Sequence, residues 1–146
     1  MHVVTIKIKR FDKTLPLPMR QSKGAVCYDL CARVDTTIKA RTFGFIPLNI
    51  ATKLPDDYWV HVSARSSTHK LGLIMSNGIG VVDQDYCGNE DEYKFPVYNV
   101  TKQDVTINRG IRIAQMMVLP RIDINLQEVD KLENINRGGF GSTGSN

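Results

Sequence analysis

NGIGVVDQDYCGN, Asn77 to Asn89, runs a strand-like apolar step into two carboxylates and an aromatic, with glycine on both sides. Gly78, Gly80 and Gly88 let backbone come close to a ligand, because glycine lacks a Cβ and tolerates positive φ. Val81 and Val82 are β-branched and suit a rigid, half-buried strand, with Asp83 at its end. A carboxylate held in this way can serve as a general base in a pocket wall. The same residues also suit a β-hairpin in which Asp83, Asp85 and the glycines only make turns. The rest of the chain has to decide between the two.

Outward from this stretch the chain reads as strands almost everywhere. Val4, Ile6 and Ile8 alternate with Thr5, Lys7 and Lys9, the period of two of a half-buried strand. Short β-rich runs follow at 36–38, 42–50, 58–62, 94–100, 105–107, 112–119 and 122–126, separated by turn residues such as Pro55-Asp56-Asp57 and Asn108-Arg109-Gly110. Many short strands at even spacing predict an all-β sandwich, jelly roll or small barrel. One short helix is expected around Ser67 to Leu73, opened by hydroxyl residues suited to an N-cap. From about Glu133 apolar residues nearly vanish, so a folded core over 1–132 and a flexible glycine-rich arm over 133–146 are expected.

At 146 residues the chain fits one domain that needs no disulfide or structural metal to hold its core. No apolar run approaches the roughly 18 residues of a membrane span, and MHVVTIKIKRFD does not read as a signal peptide. A soluble, cytoplasmic protein is expected. Three cysteines at spacings that fit no zinc template predict reduced thiols. The net charge of +4 is spread along the chain, which predicts no nucleic-acid partner and leaves small polyanions as plausible ligands.

Four further segments carry chemistry. The arm holds Arg137, Phe140, Ser142 and Thr143 among glycines, a set equipped to close over a phosphorylated planar ligand: guanidinium to phosphate, ring on base, hydroxyls and amides donating. Arg65, Ser66 and Ser67 follow a strand and open the short helix, an arrangement that suits an anion; an ordinary cap with a solvated Arg fits equally. Asp29 stands alone among apolar residues in GAVCYDLCA, either satisfied by backbone amides or holding a metal-bound water. Gln115 interrupts the apolar strand RIAQMM, and pairs within the core or points into a phosphate site.

In this order the segments resemble the trimeric dUTPases, which cleave dUTP to dUMP and pyrophosphate. GAVCYDL is similar to the first motif of that family, ARSSTHKLG to the second, NGIGVVDQDYCGN to the third, RGIRIAQ to the fourth and RGGFGSTG to the fifth. The resemblance implies a jelly-roll homotrimer whose active sites draw on all three subunits, lowering dUTP and supplying dUMP for dTTP synthesis. It implies Asp83 as the base that activates water, and Asp29 as the acid that holds Mg²⁺ through water. Tyr86 would pack on deoxyribose and exclude a 2′-hydroxyl, while Asn77 and the backbone at Gly80 and Val81 would read uracil. Arg65, Ser66, Ser67 and Gln115 would contact phosphate, and Arg137, Phe140, Ser142 and Thr143 would close the arm.

Three departures stand out. Cys27 replaces a usual glycine, Arg137 lies closer to Phe140 than is usual, and the insert EDEYKFP brings Tyr93 and Phe95 forward as alternative rings for the base. Two other readings bear on the same residues. The dCTP deaminases share an Arg-Ser-Ser segment but need a glutamate on the strand after the third motif, where Pro96 stands. A catalytically idle jelly roll with a regulatory partner would have lost Asp29, Arg65 and Asp83, although a regulatory protein partner could also dock on an active enzyme.

Overall fold

The computed structural model describes residues 3–140. Eleven strands and one 3-10 turn make up its regular structure: β1 Lys7–Arg10, β2 Tyr28–Cys31, β3 Thr36–Ile38, β4 Phe43–Pro47, β5 Ile50–Lys53, β6 Tyr58–Ala64, β7 Leu73–Met75, β8 Gly80–Val82, β9 Lys94–Asn99, β10 Val105–Ile107 and β11 Arg112–Pro120. They form a four-stranded sheet in the order β2-β11-β6-β8, a three-stranded sheet β4-β9-β7, and two ribbons, β1-β5 and β10-β3. All pairs are antiparallel. The expected all-β, jelly-roll-like architecture is what the chain adopts.

The core lies between the two larger sheets. Leu30, Val60, Val62, Ile113 and Met116 from one meet Ile46, Leu73, Phe95 and Val97 from the other. Alternation explains most of this, since Phe95, Val97 and Asn99 of β9 are buried while Lys94, Pro96 and Tyr98 between them are not. β11, central and longest, breaks the rule: Ile113 and Ala114 are both fully buried, and the register with β2 shifts between Arg112 and Ala114. A bulge of this kind turns two successive residues inward and re-aims the one before them, Arg112.

Several expectations are corrected. The run 42–50 is two strands that meet at Leu48 and Asn49, where Asn49 takes a left-handed φ of 70° that asparagine tolerates. β2 and β7 were not anticipated. The helix is shorter than expected, a 3-10 turn over Thr68–Leu71 that ends at Gly72 with φ 76°, and Ser67 at its N-cap makes no side-chain cap bond. Residues 122–126 alternate correctly yet form no strand: after Pro120 the described chain has neither helix nor strand and is exposed throughout.

Tyr93 and Phe95, put forward as rings for the base, are core residues, 2% and 0% exposed. Neither is free to swing over a ligand. Truncating Phe95→Ala leaves a core cavity, and urea unfolding should report a loss of about 3–5 kcal/mol.

Candidate active site

The segment 76–89 lies where the two larger sheets come together. β7 pairs with β9, whereas β8 pairs with β6 of the other sheet, so residues 76–79 carry the chain between them. Gly78 has φ 74°, which this crossing requires. Gly80 serves packing instead: a Cβ there would meet Val62 Cβ at 3.1 Å. After β8 the chain turns back, with the Tyr86 N–H donating to the Asp83 carbonyl (3.2 Å) across Gln84 and Asp85. Asp85 is thus a corner residue of the turn that aims Tyr86.

An open pocket of about 320 Å³ collects Asn77, Gly80, Val81, Asp83 and Tyr86 from this segment, with Phe45, Lys94 and Pro96 from β4 and β9 opposite and Tyr93 also in its lining. Asp83 is exposed, and its carboxylate joins no hydrogen bond or ion pair among the described residues. Tyr86 is anchored, its hydroxyl donating to the Glu92 carbonyl (3.1 Å). Burial, then the Asp91 and Glu92 carboxylates, push its phenol pKa up, so the hydroxyl remains a donor at neutral pH.

A second pocket, of about 350 Å³, holds Asp29, Arg65, Ser66 and Gln115 together with Cys27. Strand register creates it: Gln115 sits directly opposite Asp29 on β2 and Ser63 on β6. Asp29 is occupied on both oxygens, taking Arg65 Nε on Oδ1 (2.9 Å) and Arg112 Nη1 on Oδ2 (3.0 Å). Arg65 Nη1 also donates to the Arg112 carbonyl (3.1 Å), and Gln115 Nε2 donates to the Ala64 carbonyl (3.1 Å). Burial and the Asp29 charge raise the Cys27 thiol pKa, which keeps it neutral beside the anion site. The two pockets share no residue.

Of the phosphate set, Ser67 does not line the second pocket. Arg137 and Phe140 are exposed on the strandless segment, and neither lines either pocket. Ser142 and Thr143 lie outside the described residues. Sequence reasoning passed over Arg112, although it stands in RGIRIAQ; only the bulge reveals that it faces Asp29. Phe45 and Lys94 were also missed, because nothing local links β4 and β9 to residue 83.

No group of three or more His, Cys, Asp or Glu that could hold a metal occurs among the described residues. These residues suit an anion and form no closed protein cage; a magnesium ion would be carried by the phosphates and meet Asp29 only through its own water. No helix among the described residues is long and apolar enough to cross a membrane.

Fold and pockets put the chain among the all-β jelly-roll proteins. It belongs to the dUTPase family, whose family model, described as dUTPase, matches residues 13–144. It is 41% identical over 142 residues to the SPbeta prophage-derived deoxyuridine 5'-triphosphate nucleotidohydrolase YosS of Bacillus subtilis (strain 168), covering 96% of this chain and 98% of that one. Among solved structures, the Staphylococcus bacteriophage 80alpha dUTPase with dUPNHPP superposes with a TM-score of 0.81 at 20% identity, covering 97% of this chain and 99% of that one. A dUTPase from phage phi11 of S. aureus, described with a structural Mg(II) ion, gives 0.76 at 17% identity, with 89% and 99% covered.

At the floor of the first pocket, burial pushes the Tyr93 phenol up to about 12, although its hydrogen bond with Thr52 opposes the shift. A raised folded-state pKa leaves stability intact below the unfolded value near 10 and removes it as pH rises towards 12. Chemical unfolding between pH 9 and 12 should therefore reveal a loss of about 2–3 kcal/mol in the parent that a Tyr93→Phe variant lacks.

Proposed function

We propose that this chain hydrolyses dUTP to dUMP and pyrophosphate, with Asp83 as the base that takes a proton from the water attacking the α-phosphate. The supporting observation is the first pocket: an unpartnered carboxylate beside a ring, an amide side chain and strand backbone. Asp83 is exposed and engages no other described residue, so to act as base it needs only a water within roughly 3 Å. Asn77 and the backbone at Gly80 and Val81 read uracil. A cytosine there would leave polar groups unpaired at about 1–3 kcal/mol each. Tyr86 lies against deoxyribose and leaves no room for a 2′-hydroxyl.

The triphosphate, with about four negative charges, needs neutralisation before water can approach. Arg65, Ser66, Ser67 and Gln115 bind it, and Asp29 is the residue that would hold a hydrated magnesium ion, through water. When bound, the ion would supply charge compensation for the triphosphate. The arm from residue 133 closes the site, with Arg137, Ser142 and Thr143 on phosphate. Phe140 caps the base, since Tyr93 and Phe95 are committed to the core.

The complete site is proposed to form in a homotrimer. Support comes from the two disjoint half-sites on one chain, and from Ile122, Ile124 and Leu126, whose alternation points to a partner the described chain does not provide. A deaminase reading is disfavoured because Pro96, which lines the first pocket, cannot transfer protons.

Pyrophosphate release should be measured with dUTP, dCTP, dTTP and UTP in the presence of Mg²⁺. The expected outcome is strong preference for dUTP, and at least about a hundredfold loss of kcat in Asp83→Asn. Equal turnover of UTP, or an undiminished Asp83→Asn protein, would contradict this mechanism.

A further inference from the structure

The insert after Asn89 has no role in the assignments above, yet the strongest fastening near the first pocket is found there. Glu92 is a buried acid whose side chain is only 9% exposed. Its Oε1 accepts from Arg33 Nε (2.7 Å) and the Asn49 backbone N–H (3.0 Å), and its Oε2 accepts from Arg33 Nη2 (3.0 Å). The fork of Arg33 matches the two carboxylate oxygens, the strongest geometry available to such a pair. Both partners are themselves fixed: the Arg33 N–H donates to the Pro47 carbonyl, and Asn49 is buried and exchanges hydrogen bonds with Asp12. Glu92 is thus bolted to the junction between β4 and β5.

The main-chain carbonyl of this residue accepts from the Tyr86 hydroxyl. Tyr86 has little else to hold it. From Asp83 to Glu90 every residue except Gln84 is exposed, and the ring's other tie to the core is Tyr93, with centroids 6.5 Å apart. A ring that excludes one hydroxyl by sterics must not yield by about an ångström, because misplacement on that scale is enough to change selectivity and rate.

We propose that Glu92, locked by Arg33 and Asn49, is a positioning residue that holds Tyr86 rigid through its carbonyl and so sets how strictly the pocket refuses a 2′-hydroxyl. This rests on the proposed function, in which Tyr86 lies against the sugar. The insert then acts as a brace for specificity.

The test compares kcat/KM for dUTP and UTP in the full chain and in Tyr86→Phe, Glu92→Gln and Arg33→Lys, with Tm recorded for each. Tyr86→Phe deletes one hydroxyl from a partly exposed ring and keeps the ring. Arg33→Lys keeps the cation and loses the fork, and it stands in if Glu92→Gln does not fold. The dUTP:UTP preference should drop by about tenfold or more in Tyr86→Phe and in the folded variant at 33 or 92, carried mainly by a lower KM for UTP. A purely structural pair would lower Tm and leave that preference within about twofold of the parent, which overturns the inference, as does a change in Tyr86→Phe alone. A parent chain inert towards dUTP overturns the proposed function and this inference with it, whereas a selective parent with indifferent variants overturns only the inference.

Discussion

The site depends on one buried hydroxyl. Thr68, 2% exposed, accepts from the Arg65 N–H (3.0 Å) and donates to the Ile113 carbonyl (2.9 Å). Ile113 sits at the bulge of β11, where ladder pairing is interrupted and a carbonyl needs another donor. Thr68 supplies it and in the same step fixes the loop that follows β6. Arg65, from the loop after β6, and Arg112, from β11, are thereby brought to the same carboxylate, and Asp29 completes a cluster with one net positive charge. An anion pocket at the end of a sheet can be built in this way without a long helix or a metal cage.

That arrangement also divides labour among the acids. A buried carboxylate without partners would raise its own pKa or destabilise the fold, so burial demands cations. Asp29 takes two arginines and Glu92 takes one arginine and a backbone amide, and both are therefore fixed in place. Asp83 is exposed at a strand end, where water satisfies it and no partner is needed. Under the proposed mechanism the proton transfer falls to this acid, the one of the three that the fold leaves free.

The sequence made the architecture legible where one face of a strand is buried and the other is not, as in β9 and β6. It failed where both faces or neither are buried. β2 hides Leu30 and Cys31 in succession beside Asp29, which erases the alternation, and β7 is three residues long and follows a turn that looks like the start of a helix. Residues 122–126 fail for the opposite reason, since alternation records which face would be buried and cannot supply the neighbouring strand whose hydrogen bonds make a strand. As lining of the two pockets, Asp29, Arg65, Ser66, Asp83 and Gln115 were legible through their residue types and motif context. The pairing of Asp29 with Arg112, 83 positions away, depends on a bulge that no local pattern announces.

The insert holds another such hidden pairing, between Glu92 and Arg33, 59 positions apart. Read as sequence, Tyr93 and Phe95 are two aromatic rings near a nucleotide pocket and invite a role in stacking. Folded, both point inward, because the register of β9 with β4 and β7 puts odd-numbered residues into the core. The acid beside them meets the pocket at one remove, its backbone carbonyl accepting from the Tyr86 hydroxyl. A charged side chain locked on the core side of the strand start makes the main-chain carbonyl of the same residue a rigid acceptor, which is what the proposed gate at Tyr86 requires. The charge of Glu92 thus fixes a neutral group, its own carbonyl, against the Tyr86 hydroxyl.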